Sequence, residues 1–156
     1  MPTCFFIGHR TAPPDLLPRL IDAVERHAAD YGVTEFVVGS HGDFDRLAAQ
    51  AVREVKKRRP GVTLTRLLAY YRPDRPEALP PGCDGFLYPD GLETTPARFA
   101  IPSANRWMVR HCEYLIAYDR GYPGNTRAIV KLARRRESDG LMRVENLGEE
   151  NIIIAS

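Results

Sequence analysis

Short apolar runs alternate with stretches of helical periodicity along most of the chain. Cys4-Phe5-Phe6-Ile7 is uninterrupted and stops at Gly8, which predicts a buried strand. Pro13-Pro14 suits the first turn of a helix, where a missing N–H costs little. Leu17, Leu20, Ile21, Val24 and Ala28 follow at helical spacing, with Arg19, Asp22, Glu25 and Arg26 opposite and Gly32 as the stop. The unit then recurs in kind. Residues 35–38 predict a second strand, ending at Gly39. Phe44, Leu47, Ala48, Ala51, Val52 and Val55 predict a helix closed by Pro60-Gly61, and a third strand crosses 62–69.

Residues 70–102 are less regular. Eight of the thirteen prolines fall between Pro60 and Pro102, and only 85–88 reads as a strand there. Recurring aromatic residues favour an ordered loop over a linker. Beyond it the pattern predicts a helix over 105–112 and a strand over 114–118. A helix opened by Gly124-Asn125-Thr126 follows, with Ala128, Ile129, Leu132 and Ala133 inward, then a core strand over 142–147. Residues 151–154 predict an edge strand. Apolar rather than alternating strands, separated by helices, imply an α/β fold with a parallel sheet covered on both faces.

Composition narrows the picture mainly by exclusion. A length of 156 residues fits one domain, spanning 1–156, and 44% apolar with 27% charged residues excludes global disorder. Lys+Arg 22 against Asp+Glu 20 leaves +2, so no strong field draws the whole molecule to nucleic acid or membrane. The basic runs at 56–59 and 134–136 read as helix C-terminal charges. Cys4, Cys83 and Cys112 stand far apart, without zinc spacing. A disulfide framework and a metal site are not expected, and a reducing cytoplasm fits. The opening apolar run is too short for a secretory signal, and no run approaches a membrane span.

Ligands of parallel sheets bind beyond the carboxyl ends of the strands. Three glycine-bearing turns stand there: Gly8-His9-Arg10, then Gly39-Ser40-His41-Gly42 leading to Phe44 and Asp45, then Asp119 followed by Gly124-Asn125-Thr126. Glycines let backbone N–H groups approach an anion, and helix N-termini add partial positive charge. Arg10 can make a bidentate phosphate contact, and His9 or His41 can donate to the anion or move a proton. The same glycines also serve tight turns, and Arg106 also reads as surface. The dinucleotide fingerprint, the Walker A loop and the GxSxG elbow are absent.

The succession FIGHR, VVGSHGDFDRLAAQAVREVKK, LLAYYRP, YPDGLE, RFAI, NRWMV and YLIAYD resembles the YpsA-like branch of the SLOG superfamily, a group of mostly uncharacterised bacterial proteins. The resemblance runs from about Thr3 to Leu147. It implies a Rossmann-like three-layer sandwich with a mainly parallel central sheet. It also implies a pocket for a nucleotide or nucleotide-derived ligand at the strand C-termini. The superfamily includes phosphoribohydrolases and DprA-type DNA-processing proteins. Pocket positions carried over are Gly8, His9, Arg10, Gly39, Gly42, Phe44, Asp45, Asn105, Arg106, Gly124 and Thr126, with Ser40, His41 and Asn125 in the same turns. A phosphate would sit against Gly124-Asn125-Thr126, and Asp45 or Asn105 would bond a ribose or base.

Three departures bear on chemistry. Relatives carry Arg before the Asn of N-x-W-M, where this chain has Ala104. They carry Gly-Gly where this chain has Pro123-Gly124. The catalytic Glu of the phosphoribohydrolase loop falls on Ile129. The first expectation is therefore a binding module that senses a nucleotide and requires no cofactor. The second is an N-glycosidic hydrolase or transferase using Asp45, Glu93 or Asp119, since an oxocarbenium-like transition state wants a carboxylate nearby. Nucleic-acid binding ranks third. A homodimer is a further expectation.

Overall fold

The computed structural model describes residues 2–149. Its elements are β1 (Thr3–Gly8), α1 (Leu17–Tyr31), β2 (Glu35–Val38), α2 (Asp43–Arg58), β3 (Thr63–Leu67), β4 (Gly85–Leu87), α3 (Ala100–His111), β5 (Tyr114–Tyr118), α4 (Asn125–Ser138) and β6 (Arg143–Asn146). The six strands form one all-parallel sheet in the order β4-β3-β2-β1-β5-β6. The chain steps outward from β1 to β4, and α3 then carries it back to the far side of β1. The order therefore reverses between β1 and β5, the switch point at which open α/β sheets take ligands.

Both faces of the sheet are covered, which is why the strands are apolar throughout. Cys4, Phe6, Phe36, Val38 and Ile116 face α1 and α2, against Leu20, Val24 and Val52. Their strand neighbours Phe5, Ile7, Val37, Leu115 and Ala117 face α3 and α4, against Met108, Ile129 and Ala133. Each strand thus feeds alternate side chains to two cores.

The structure shifts several predicted boundaries. A 3-10 turn over Pro14–Leu16 precedes α1, and Pro18 is the second residue of that helix, where its missing N–H breaks no bond. Helix α3 begins at Ala100, five residues before the predicted start, because Pro102 sits in the first turn rather than ending an earlier element. Strand β3 stops at Leu67, two residues early. The predicted strand at 151–154 lies outside the described residues. Among the described residues no helix is long and apolar enough to cross a membrane.

His27 is buried in α1 edge-on against the rings of Tyr31 and Tyr114, which stack on each other. Its Nδ1–H donates to the Ala23 carbonyl at 2.7 Å, and Nε2 is buried without a partner. Burial holds the imidazole below its usual range. The Ala23 bond and Glu145 oppose that shift, while Arg26 and Arg143 add to it. The unfolded chain therefore binds the proton more readily than the native one. Stability from this site is complete above about pH 6.5 and falls as the pH drops below it. Denaturation at pH 7 and pH 5 should show wild type losing ground to His27→Gln on acidification. Parallel losses in both proteins would exclude His27 as the cause.

Candidate functional site

A cavity of about 540 Å³ opens at the switch point. Its walls come from the turn after β1, the turn after β2, the end of β3, the first half of α3 and the start of α4. Of the predicted residues, Gly8, His9, Arg10, Gly39, His41, Asp45, Asn105, Gly124, Asn125 and Thr126 line it.

Two glycines hold the first two turns together. A side chain at Gly8 would collide with the ring of Phe44, which fills the space beneath the strand end. Gly42 has φ +103°, and a Cβ there would come within 2.6 Å of the Arg10 Cα. The Asp43 N–H also donates to the Arg10 carbonyl at 2.6 Å. This close approach orients the β1 turn, leaving the Arg10 side chain exposed and free of hydrogen bonds among the described residues.

His9 has a defined tautomer. The Arg120 backbone N–H donates to His9 Nε2 at 2.9 Å, so the proton of the neutral ring sits on Nδ1. Burial holds the imidazole below its usual range, and Arg120 adds to this. Asp119, 3.7 Å from Nε2, pulls the other way. The ring also lies against Tyr122, 4.9 Å between centroids. His41 is likewise held low, by burial first and then by Arg10 and Arg66.

Asp45 is the one carboxyl among the three candidates that lines the cavity. It sits in the first turn of α2, and its Oδ2 accepts the His41 backbone N–H at 2.9 Å. Burial pushes it up to about 6, against the opposing pull of that N–H and of Arg10. Asp119 does a different job. Its Oδ1 accepts the Gly121 N–H at 2.8 Å, and its backbone exchanges hydrogen bonds with the Asn146 side chain, which shapes the β5–α4 turn. Glu93 is exposed on a 3-10 turn outside the cavity.

The two helix N-termini near the cavity differ. That of α2 carries Asp43 and Asp45 in its first turn, so its own carboxylates meet its dipole. That of α4 has Gly124 as N-cap, no side-chain cap and no acid in the first turn. Its N–H groups are open toward the cavity, where an anion is favoured. Asn105 comes from α3. It is 7% exposed, lines the cavity, and its amide has no hydrogen-bond partner among the described residues. The amide is not among the fully buried unpaired groups, so it is the part of the residue that meets the cavity.

Besides Asp119 and Glu93, four predicted ligand-binding residues do not line this cavity. Phe44 is fully buried against Phe6 and Tyr118. Ser40 and Gly42 face a second, smaller cavity. Arg106 is exposed and donates to Ser103 Oγ at 3.0 Å. Sequence reasoning missed Tyr70, Arg98, Ile101 and Tyr122, which do line it. Tyr70 and Tyr122 are about half exposed, and the Tyr70 hydroxyl donates to the Ala97 carbonyl at 3.1 Å. Ala104 is also in the wall, beside Arg98. The only signal was the recurrence of aromatic residues in the proline-rich stretch, which covers Tyr70 but not Tyr122. Among the described residues no group of three His, Cys, Asp or Glu could hold a metal ion.

No family model matches the chain, and no curated protein does. A solved structure does: the X-ray structure of DNA processing protein A (DprA) from Streptococcus pneumoniae. It aligns with a TM-score of 0.65 over 97% of this chain, at 14% identity. The chain spans about half of that protein, 52% of its length. The likeness establishes the Rossmann-like fold.

Proposed function

We propose that this chain binds a nucleotide or nucleotide-derived ligand at the switch point, as a sensing module rather than a hydrolase. The observation that carries the proposal is Asn105, an otherwise buried residue whose amide makes no hydrogen bond among the described residues and faces a cavity whose other wall is an uncapped helix N-terminus. An amide donates and accepts at once, which suits a ribose or base edge. The α4 N-terminus and Arg10 suit the phosphate. Tyr122 and Tyr70 offer aromatic faces for a base. The YpsA-like assignment, and with it a bacterial and cytoplasmic setting, belongs to the same proposal and rests on the GHR, G-x-x-G-x-F-D and N-x-W-M elements.

A second reading has one observation behind it. Asp45 is a carboxyl held near 6 inside the cavity, able to exchange a proton near neutrality. An N-glycosidic hydrolase would use it beside the departing base. One screen separates the readings: AMP, ADP, ATP, GTP, NAD, ADP-ribose and cyclic nucleotides, with melting temperature and mass spectrometry from the same wells. A melting shift with the ligand intact supports sensing. Released base supports hydrolysis. No shift with any compound removes the nucleotide proposal.

Arg10→Ala should weaken the binding ligand about tenfold or more by calorimetry, the loss of one charge-assisted contact. Its melting temperature should stay near wild type, because the side chain is exposed and makes no bond in the free protein. Unchanged affinity would take Arg10 out of the site.

A further inference from the structure

The second cavity, about 350 Å³, lies on the other side of the 39–42 turn and shares only Gly39 and Asp45 with the first. Three guanidinium groups rim it. Arg46 and Arg53 lie two turns apart on one face of α2, and Arg66 reaches in from β3. Ala49, Leu64 and Pro80 make an apolar floor.

Structural bonds account for little of this charge. Arg46 is mostly exposed and pairs with Asp43 at 3.1 Å. Arg53 makes no hydrogen bond or ion pair among the described residues, and its stem occupies the space that a side chain at Gly82 would need. Arg66 approaches Glu77 only to 3.7 Å, beyond hydrogen-bond reach, and its Nε is buried without an acceptor. That atom is closed off, so an anion meets the terminal nitrogens of the fork, which Glu77 approaches only to 3.7 Å. Besides Asp43 on Arg46, Asp45 and Glu77 are the acids facing the group. One is hydrogen-bonded to His41 and the other stands off from Arg66.

We propose that this cavity is a second ligand site, which takes the phosphoryl group of a small organic phosphate on Arg53 and Arg66 and its apolar body on the Ala49–Leu64 floor. Guanidinium forks match phosphoryl oxygens in pairs, which a compact lysine could not do. The site stands independently of the nucleotide reading of the main cavity.

The test is a nitrogen-15 NMR titration of the full chain with phenyl phosphate, following the arginine Nε–Hε signals. The Arg53 and Arg66 signals should move saturably, and inorganic phosphate should move the same signals with at least tenfold lower affinity. Arg66→Gln should weaken phenyl phosphate tenfold or more, whereas Arg10→Ala should leave it unchanged at these signals. Arg53→Gln provides a second variant, and the backbone spectrum reports whether each has folded. Movement that follows sodium chloride as well as phenyl phosphate would overturn the proposal. So would movement confined to the amides of His9 and 124–126, which would place the probe in the main cavity. Equal affinity for the two phosphates would remove the floor from the site and overturn the organic-phosphate assignment.

Discussion

Asp45→Asn is expected to make the protein more stable at pH 8, by up to about 3 kcal/mol. The carboxyl is held at about 6 in the folded chain against 3.8 for a free aspartate, and its burial is the main cause. A group raised on folding favours the native state only while it is protonated. Its contribution is complete below about 3.8 and is lost as the pH rises through 6. At pH 8 the native protein therefore holds a carboxylate that would be better hydrated in the unfolded chain. A shift of that size corresponds to about 3 kcal/mol. Asparagine removes the charge and keeps an oxygen for the His41 N–H. Urea denaturation at pH 8 should show the variant's midpoint above wild type, with the gap closing toward pH 4. Equal midpoints at pH 8 would mean that the carboxylate is adequately solvated where it stands. A stabilising loss of a cavity carboxylate is what a group retained for ligand or proton chemistry would give.

Much of this fold was legible because each strand is buried on both faces and each helix on one. Cys4–Ile7 alternates between two cores, so it reads as an unbroken apolar run, and α2 places Phe44, Leu47, Ala51 and Val55 on one stripe. The strand-end turns were legible through their glycines, two of which mark backbone approaches that no side chain could share. Long-range placement was not legible. Asp45, Asp119 and Glu93 look alike as letters in glycine-bearing or proline-rich turns. Only the fold puts the first in the cavity, turns the second into a backbone acceptor and leaves the third outside. Arg98, Tyr70 and Tyr122 escaped for the same reason. Loop residues reach the cavity through tertiary contacts that carry no periodic signal. Arg106 illustrates the converse. Its place next to Asn105 suggested a shared role, yet adjacent helix residues point about 100° apart, so one faces the cavity and the other water.

Asn105→Leu should separate binding from folding most sharply. The side chain is nearly as buried as the core leucines, and its amide has no protein partner among the described residues. Leucine is close in shape and carries no polar group to leave unpaired. Folding stability should stay within about 1 kcal/mol of wild type, since the amide makes no bond among the described residues and keeps access to the cavity. Ligand affinity should fall. Two hydrogen bonds to a ribose or base correspond to about 2 kcal/mol, or roughly thirtyfold in Kd. Calorimetric titration of the ligand that emerges from the nucleotide screen reads one number, and urea denaturation reads the other. A variant that binds as wild type would mean the amide is not turned to the ligand. A variant that loses several kcal/mol of stability would mean that the amide is satisfied within the folded chain, and the argument from its unpaired state would fail with it. Asn105 and Asp45 thus make one joint claim: the free protein needs neither for its stability, and each faces the same cavity.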